Sequence, residues 1–397
     1  MVESKRRTQS VLTGNVLLLG IISFLTDISS EMILPILPLF IVALGGTGIV
    51  LGLIGGIGDS VSSILKVFSG YISDKIGKRK VLVYAGYQTS ALSKLFFALA
   101  TIWQHFLILR PIERLGKGIR TAPRDALIAE SVLERGKGFG IHRTFDTSGA
   151  IVGSTLALIF VLLFSLGFRT IFLIAGGVAF LALLPIIFLR EKSKPTIMPI
   201  SLKIGLKELP SPLKSFIAIA TIFALGNFSY FFFILRSQQF FSVELTVIGP
   251  LFLYVVFNVV YAAFSIPSGI LSDKIGRQKV LVAGYALFAL VCLGFTQLYP
   301  SLVYFIILFM LYGLVFALVD VNQRAFVSDL ASEDLKGTAL GTFHTAIGLA
   351  VLPGSVIAGF LWDFINPMAT FLYGAILAFL AVISFIILEK EVKGKES

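Results

Sequence analysis

One cysteine, Cys292, and three scattered histidines, His105, His142 and His344, are all that this 397-residue chain offers of those residue types. A single thiol cannot close a disulfide within the chain, and the histidines have no metal-ligand spacing. There is no Gly-x-Ser-x-Gly elbow and no phosphate-binding glycine loop, so the sequence gives no ground for an enzyme, a cofactor or a bound metal. Charge is scarce as well. Only 14% of residues are Asp, Glu, Lys or Arg, against 56% hydrophobic, whereas a soluble domain carries about 25% charged residues. Alternating ten-residue strands of the membrane-barrel type are absent too.

What is present is long apolar sequence. Stretches of about 20 residues recur, each long enough to cross a hydrocarbon core of about 30 Å as a helix. The basic start, MVESKRR, is followed by an apolar segment over residues 11–44 without a small-residue cleavage site, which reads as a first span rather than a removable signal peptide. Twelve spans are predicted near residues 12–43, 48–72, 80–102, 104–128, 138–166, 169–189, 214–241, 246–271, 280–298, 301–327, 337–362 and 367–388. About 22 of the 33 Lys and Arg residues fall in the termini and even-numbered connections, against Arg169 alone in the odd-numbered ones. The positive-inside rule therefore predicts a multi-pass protein of the cell membrane with both termini cytoplasmic. The net charge of +11 is assigned to topology and to attraction for anionic lipid. No basic patch with interleaved aromatics points to nucleic acid.

The chain repeats itself. GYISDKIGKRK (residues 70–80) returns as GILSDKIGRQK (residues 269–279), so that Gly70, Asp74, Gly77 and Lys80 recur as Gly269, Asp273, Gly276 and Lys279, displaced by 199 residues. Gly140, Thr144, Gly153 and Ser154 recur as Gly341, Thr345, Gly354 and Ser355, displaced by 201. A hydrophilic stretch separates the copies. The expected organisation is an all-α membrane protein of twelve helices in two pseudo-symmetric six-helix bundles, residues 1–189 and 214–397, joined by a cytoplasmic linker at 190–213. Even numbers of spans make the halves parallel repeats.

The pattern Gly-x-x-x-Asp-[Lys/Arg]-x-Gly-[Lys/Arg]-x-[Lys/Arg], present twice in register, resembles the signature loop of the major facilitator superfamily, and the resemblance covers the whole chain. In feel it runs closest to prokaryotic drug-efflux members. It implies alternating access, with Asp74 and Asp273 holding the cytoplasmic side closed. Locally, Gly70 and Gly269 are expected to let neighbouring backbones approach, and Gly77 and Gly276 to permit the tight turn. Arg124 and Arg324, at near-equivalent ends of the fourth and tenth spans, are the expected partners of the two aspartates. RLGKGIRTA resembles the family's helix-four motif, with Lys117 standing for Gln and Arg120 for the second Gly. Arg114 thereby inherits a link to proton coupling. GAIVGS (residues 149–154) lacks the proline of the antiporter motif.

Charge inside the spans is the strongest functional signal. Ten cations and seven acids fall there, fourteen of the seventeen in the N-terminal half. A charge facing lipid costs about 3 kcal/mol, so these groups are expected to pair or to line a wet cavity. Arg110, Glu113, Arg114, Lys117, Arg120 and Arg124 share one helical face. Asp27 and Glu31 are one turn apart, and Asp59 shares a face with Lys66. Asp27, Asp59, Glu113 and Arg114 fall near mid-depth, where transporters keep substrate and coupling ions. The proton-coupling and substrate cavity is thus assigned to Asp27, Glu31, Asp59, Arg110, Glu113, Arg114 and Lys117, with Arg114 expected to switch Asp27 between protonation states. For Arg124, Asp125, Arg143 and Asp146, near the cytoplasmic end, a structural network is the expectation.

In the C-terminal half, FALGNFSYFFFILR and its neighbour suggest an aromatic substrate wall of Asn227, Tyr230, Tyr254 and Asn258, with Phe231 and Phe233 beside them. Acids and cations on one side with aromatics on the other fit an amphiphilic organic molecule. The expected function is a monomeric secondary active transporter whose partners are a small-molecule solute, protons and the lipid bilayer, and which exports drug-like solutes by proton coupling. An uptake symporter for a small organic anion, and a non-transporting membrane sensor with a transporter fold, are the alternatives.

Overall fold

A computed structural model of the chain describes residues 2–131, 135–191, 209–242, 245–297, 299, 301–332 and 335–396. Most of the expected linker, 192–208, lies outside the described residues. Those described are helical throughout: α1 (Val2–Ile33), α2 (Leu37–Ala43), α3 (Gly48–Ile76), α4 (Arg79–Ala98), α5 (His105–Ser131), α6 (Arg135–Leu162), α7 (Phe168–Leu181) and α8 (Leu184–Ile187). After the linker follow α9 (Ser211–Gly226), α10 (Phe231–Gln238), α11 (Ile248–Ile275), α12 (Arg277–Thr296), α13 (Leu302–Leu330), α14 (Lys336–Phe364) and α15 (Pro367–Glu396).

Three predicted spans are interrupted. The first splits into α1 and α2 at Pro35, which has no N–H to donate and whose ring crowds the preceding turn; Ile36 N–H bonds back to Ile33 instead. The sixth pauses before Pro185, between α7 and α8. The seventh breaks over residues 227–230, after Gly226, where the Ser229 hydroxyl accepts a hydrogen bond from Phe231 N–H. Among the described residues, ten helical stretches are long and apolar enough to cross a bilayer. The predicted spans 80–102 and 104–128 fold as α4 and α5 but are not among these ten. Gln88, Ser90, Ser93 and Lys94 dilute the first, and the charges of α5 dilute the second.

The chain forms two units, Met1–Phe40 with Val61–Ser201, and Ile41–Ser60 with Leu202–Ser397. In the first unit α1 packs chiefly on α6 and α4 on α5 and α7. An aromatic knot of Phe40, Phe97, Phe106 and Phe172 joins these helices through edge-to-face contacts, 5.2 Å between Phe97 and Phe106. Arg169, the lone cation of the odd-numbered loops, donates to the Ala98 and Ala100 carbonyls at 2.9 and 2.7 Å, so its charge caps the C-terminal end of α4.

The second unit repeats the arrangement: α12 packs on α13 and α9 on α14. Its core is richer in phenylalanine. Phe233 stacks on Tyr312 at 4.2 Å and meets Phe295 and Phe371 edge-on. The first half of α3 belongs here, closely packed on α14. A Cβ on Gly52 would lie 2.0 Å from the Ser355 carbonyl oxygen, and Asp363 accepts hydrogen bonds from the Gly48 and Ile49 amides at 2.7 and 2.8 Å. In both units the outward faces remain apolar, with Phe164, Phe188, Phe360 and Ile376 more than half exposed or nearly so, as suits contact with hydrocarbon.

Candidate functional site

The first unit buries a network of opposite charges. Glu113, on α5, is 3% exposed and receives Arg110 at 2.8 Å, with the Arg114 Nε 3.7 Å from the same carboxylate oxygen. Two guanidinium groups therefore share one carboxylate in a low-dielectric setting where an unpaired charge would be costly. Two turns beyond Glu113, Arg120 donates to the Ser90 hydroxyl at 2.7 Å, and that hydroxyl donates to the Glu113 carbonyl at 2.9 Å. Its guanidinium also lies 4.4 Å from the centre of the Tyr87 ring, a cation–π contact. Lys94, 1% exposed, points from α4 to α1 and donates to the hydroxyls of Ser29 and Ser30 at 2.9 and 2.8 Å.

Small residues make the network possible. Gly86 and Gly116 bring α4 and α5 into backbone contact, while Gly149 and Gly153 of α6 lie against the Phe24 and Ile28 carbonyls of α1. Asp27 and Glu31 accordingly face α6. Asp27 lies beside Asp146, which accepts a bond from Ser23 at 2.9 Å and pairs with Arg143 at 3.2 Å. Arg114, the expected switch partner of Asp27, has its Nε 3.7 Å from Glu113. Lys117 is half-buried on the same helix as Arg114, and Arg124 bonds Asp125 at 2.8 Å. Asp59 is half-buried in the part of α3 that belongs to the second unit.

The two copies of the repeated loop are built alike, although not as expected. Asp74 pairs with Arg79 at 2.8 Å, and Arg79 also reaches Glu130 at the end of α5. Asp273 pairs with Arg277 at 3.2 Å, and Arg277 also reaches Asp329 near the end of α13. The expected partners, Arg124 and Arg324, hold Asp125 and Asp320 instead. A signal for the outer acids was available: a shift of 199 residues carries Glu130 onto Asp329. Gly77 and Gly276 adopt φ of +68° and +94°, in the left-handed region that favours glycine. Gly70 and Gly269 do not serve close packing. A Cβ on Gly70 would only touch that of Ala122 at 3.4 Å, and Gly269 faces open space.

Of the candidate wall in the second unit, Tyr230 and Tyr254 lie together, ring centres 5.9 Å apart and tilted by 36°, and Asn258 is buried one turn beyond Tyr254. Asn227 caps α9 at the break of the seventh span. Phe231 and Phe233 are fully buried packing residues rather than wall. Arg236 is tied to the Phe295 and Thr296 carbonyls, where it caps α12. Among the described residues no group of three His, Cys, Asp or Glu gathers as metal ligands.

Helices long and apolar enough to cross a bilayer, with buried ion pairs along α5 and a twice-built charged loop, define a multi-pass membrane transporter architecture. The chain belongs to the Major Facilitator Superfamily, whose family model matches residues 19–253 and 216–397. It is 51% identical over 374 residues to an uncharacterised MFS-type transporter of Methanocaldococcus jannaschii, covering 93% of this chain and 94% of that one. Over 182 residues it is 35% identical to the multidrug resistance protein MdtG of Enterobacter lignolyticus, 43% of this chain and 42% of the other. Among solved structures, the nucleoside transporter NupG superposes with a TM-score of 0.75 at 16% identity, covering 94% of this chain and 99% of that one. The POT family transporter PepTSo superposes with a TM-score of 0.77 at 13% identity, covering 96% and 98%. At such identities the likeness is one of fold. The relatives are transporters, and the chain is a transporter-family member rather than an enzyme.

Proposed function

We propose that this protein is a secondary active transporter that exports amphiphilic or drug-like organic solutes across the cell membrane by alternating access, driven by protons. In this reading twelve spans form two pseudo-symmetric six-helix bundles, α4 and α5 crossing the membrane despite their polarity because their charged faces turn inward, and both termini are cytoplasmic. The observation that carries the proposal is the buried network of α1, α4, α5 and α6, where Glu113, Asp27 and Asp146 lie among cations inside membrane helices. Intramembrane acids of this kind mark proton and substrate pathways. Half-buried Tyr230, with buried Tyr254 behind it, supplies an aromatic surface suited to an apolar solute, and the partial similarity to MdtG supports efflux.

Uptake of a small organic anion is the second reading, favoured by the excess of cations along α5, where Arg110, Arg114, Lys117 and Arg120 stand against Glu113. One experiment separates the two. Purified protein in proteoliposomes is given an imposed pH gradient and a panel of fluorescent cationic, neutral and anionic solutes. Movement of cationic or neutral amphiphiles against the proton flow supports export, movement of anions with the protons supports symport, and no movement of any solute removes both.

A further inference from the structure

We propose that Asp27 and Asp146 together form a single-proton site, one carboxyl donating to the other, and that filling this site ties α1 to α6. The proposal rests on the proton-coupled reading only for its role in transport. Its ground is geometric. Asp27 and Asp146 lie side by side where α1 meets α6: Ser23, one turn before Asp27, donates to Asp146 at 2.9 Å, and a Cβ on Gly149, one turn after Asp146, would sit 3.1 Å from the Asp27 Cβ. Two carboxylates so placed repel strongly when both are ionised. One proton shared between them relieves that repulsion. The helices that carry them pack in near-backbone contact at this level. A Cβ on Gly149 would also sit 2.6 Å from the Phe24 carbonyl oxygen, and one on Gly153 would sit 2.4 Å from the Ile28 carbonyl oxygen.

The surroundings assign the proton. Ser23 donates to one oxygen of Asp146 at 2.9 Å and Arg143 pairs with the other at 3.2 Å, so Asp146 is equipped to hold the negative charge and Asp27 to carry the proton. The charged and titratable groups around the pair are Glu31 from α1, Lys94 from α4, Lys117, Arg120 and Arg124 from α5, and His142 and Arg143 from α6. Asp146 is 27% exposed at its side chain, which gives the proton a route to water. When Asp27 releases its proton, two carboxylates remain side by side. They must part, or draw in a neighbouring cation such as Lys117. Loading and unloading thus change the α1–α6 contact directly, and the carrier is the pair rather than Asp27 with an arginine.

The test uses a hydrophobic carbodiimide, which attacks protonated carboxyl groups in apolar surroundings, on the purified full-length protein, with mass mapping of the labelled residues. Labelling is expected on Asp27 or Asp146 but not on both in one molecule, because derivatising one neutralises it and leaves the other free to ionise beside Arg143. It is expected to fade as pH rises. Asp146→Asn removes the neighbouring negative charge that favours the proton on Asp27 and is expected to lower labelling of Asp27 at the same pH. Double labelling, no labelling of either residue at any pH, or unchanged Asp27 labelling in Asp146→Asn would overturn the proposal. Should that variant fail to fold, mutual exclusion in the wild-type protein decides alone. Labelling as expected in a protein that moves no solute under a pH gradient would remove the proton-coupled reading and leave the site standing.

Discussion

Gly86 on α4 and Gly116 on α5 face each other so closely that a Cβ on either would lie 2.6 or 2.5 Å from the other's carbonyl oxygen. That contact sets the distance at which Arg120 meets Ser90 and Tyr87, and at which Ser90 meets the Glu113 carbonyl. Gly116→Val should force the helices apart and lower stability by about 1–3 kcal/mol, read as thermal unfolding of the detergent-solubilised protein. Gly140→Ala is the control, since nothing lies within 4 Å of its Cβ position, and should stay within about 0.5 kcal/mol of wild type or gain slightly. Equal losses in the two variants would mean that the α4–α5 crossing does not depend on its glycines.

The loop clusters predict a separation of stability from turnover. Arg79 serves Asp74 and Glu130 together, yet both acids are more than 40% exposed, so each pair contributes less than about 1 kcal/mol. Arg79→Gln and Asp74→Asn should therefore insert and unfold nearly as wild type while solute turnover falls. Arg79→Gln should be the more damaging because it leaves two acids without their guanidinium. The same ranking is expected for Arg277→Gln against Asp273→Asn. Undiminished transport in all four would reduce the repeated loops to membrane anchors.

The division between what the sequence reveals and what it hides follows from the range of the interactions. The helical membrane class, the repeat and the glycine turns at Gly77 and Gly276 are local or compositional, and composition and spacing report them directly. Burial of the Arg110–Glu113 pair was legible because three residues on a helix fix a common face. Partners across helices were not. One-dimensional spacing makes Arg124 as good a partner for Asp74 as Arg79, and cannot say that the turn folds Arg79 back onto Asp74. Nor does spacing show that the glycines of α6 bring Asp27 beside Asp146. Lys94 donating to two serine hydroxyls carries no sequence signature at all, since serine is common and a hydroxyl acceptor has no charge to pattern.

Topology is tested by thiol accessibility. Cys292 is fully buried, and its replacement by alanine gives a background without thiols. Single cysteines at Ser4, Ser201 and Ser397 should be shielded from an impermeant maleimide in intact cells and react after permeabilisation, whereas one at Thr47 should react in intact cells. The positive-inside distribution requires this pattern. Labelling at Ser201 from outside would invert the assigned orientation.

The last prediction asks whether the buried charges of α5 are scaffold or machinery. Glu113→Gln leaves Arg110 and Arg114 buried without their shared carboxylate, and loss of one partner from a buried pair costs about 3–5 kcal/mol. Joint replacement, Arg110→Met with Glu113→Leu, removes one charge of each sign and should recover the part of that loss that belongs to Arg110, Arg114 keeping its charge, since apolar side chains of similar size satisfy a dry interior as well as an ion pair does. Stability therefore separates the single from the double variant, and transport decides the role. If the double variant folds and still drives solute under a pH gradient at the wild-type rate, the pair is scaffold only. If it folds, binds solute and exchanges it passively but no longer responds to the gradient, Glu113 belongs to the proton path, because a residue that merely held helices together would not affect coupling once the fold had been restored.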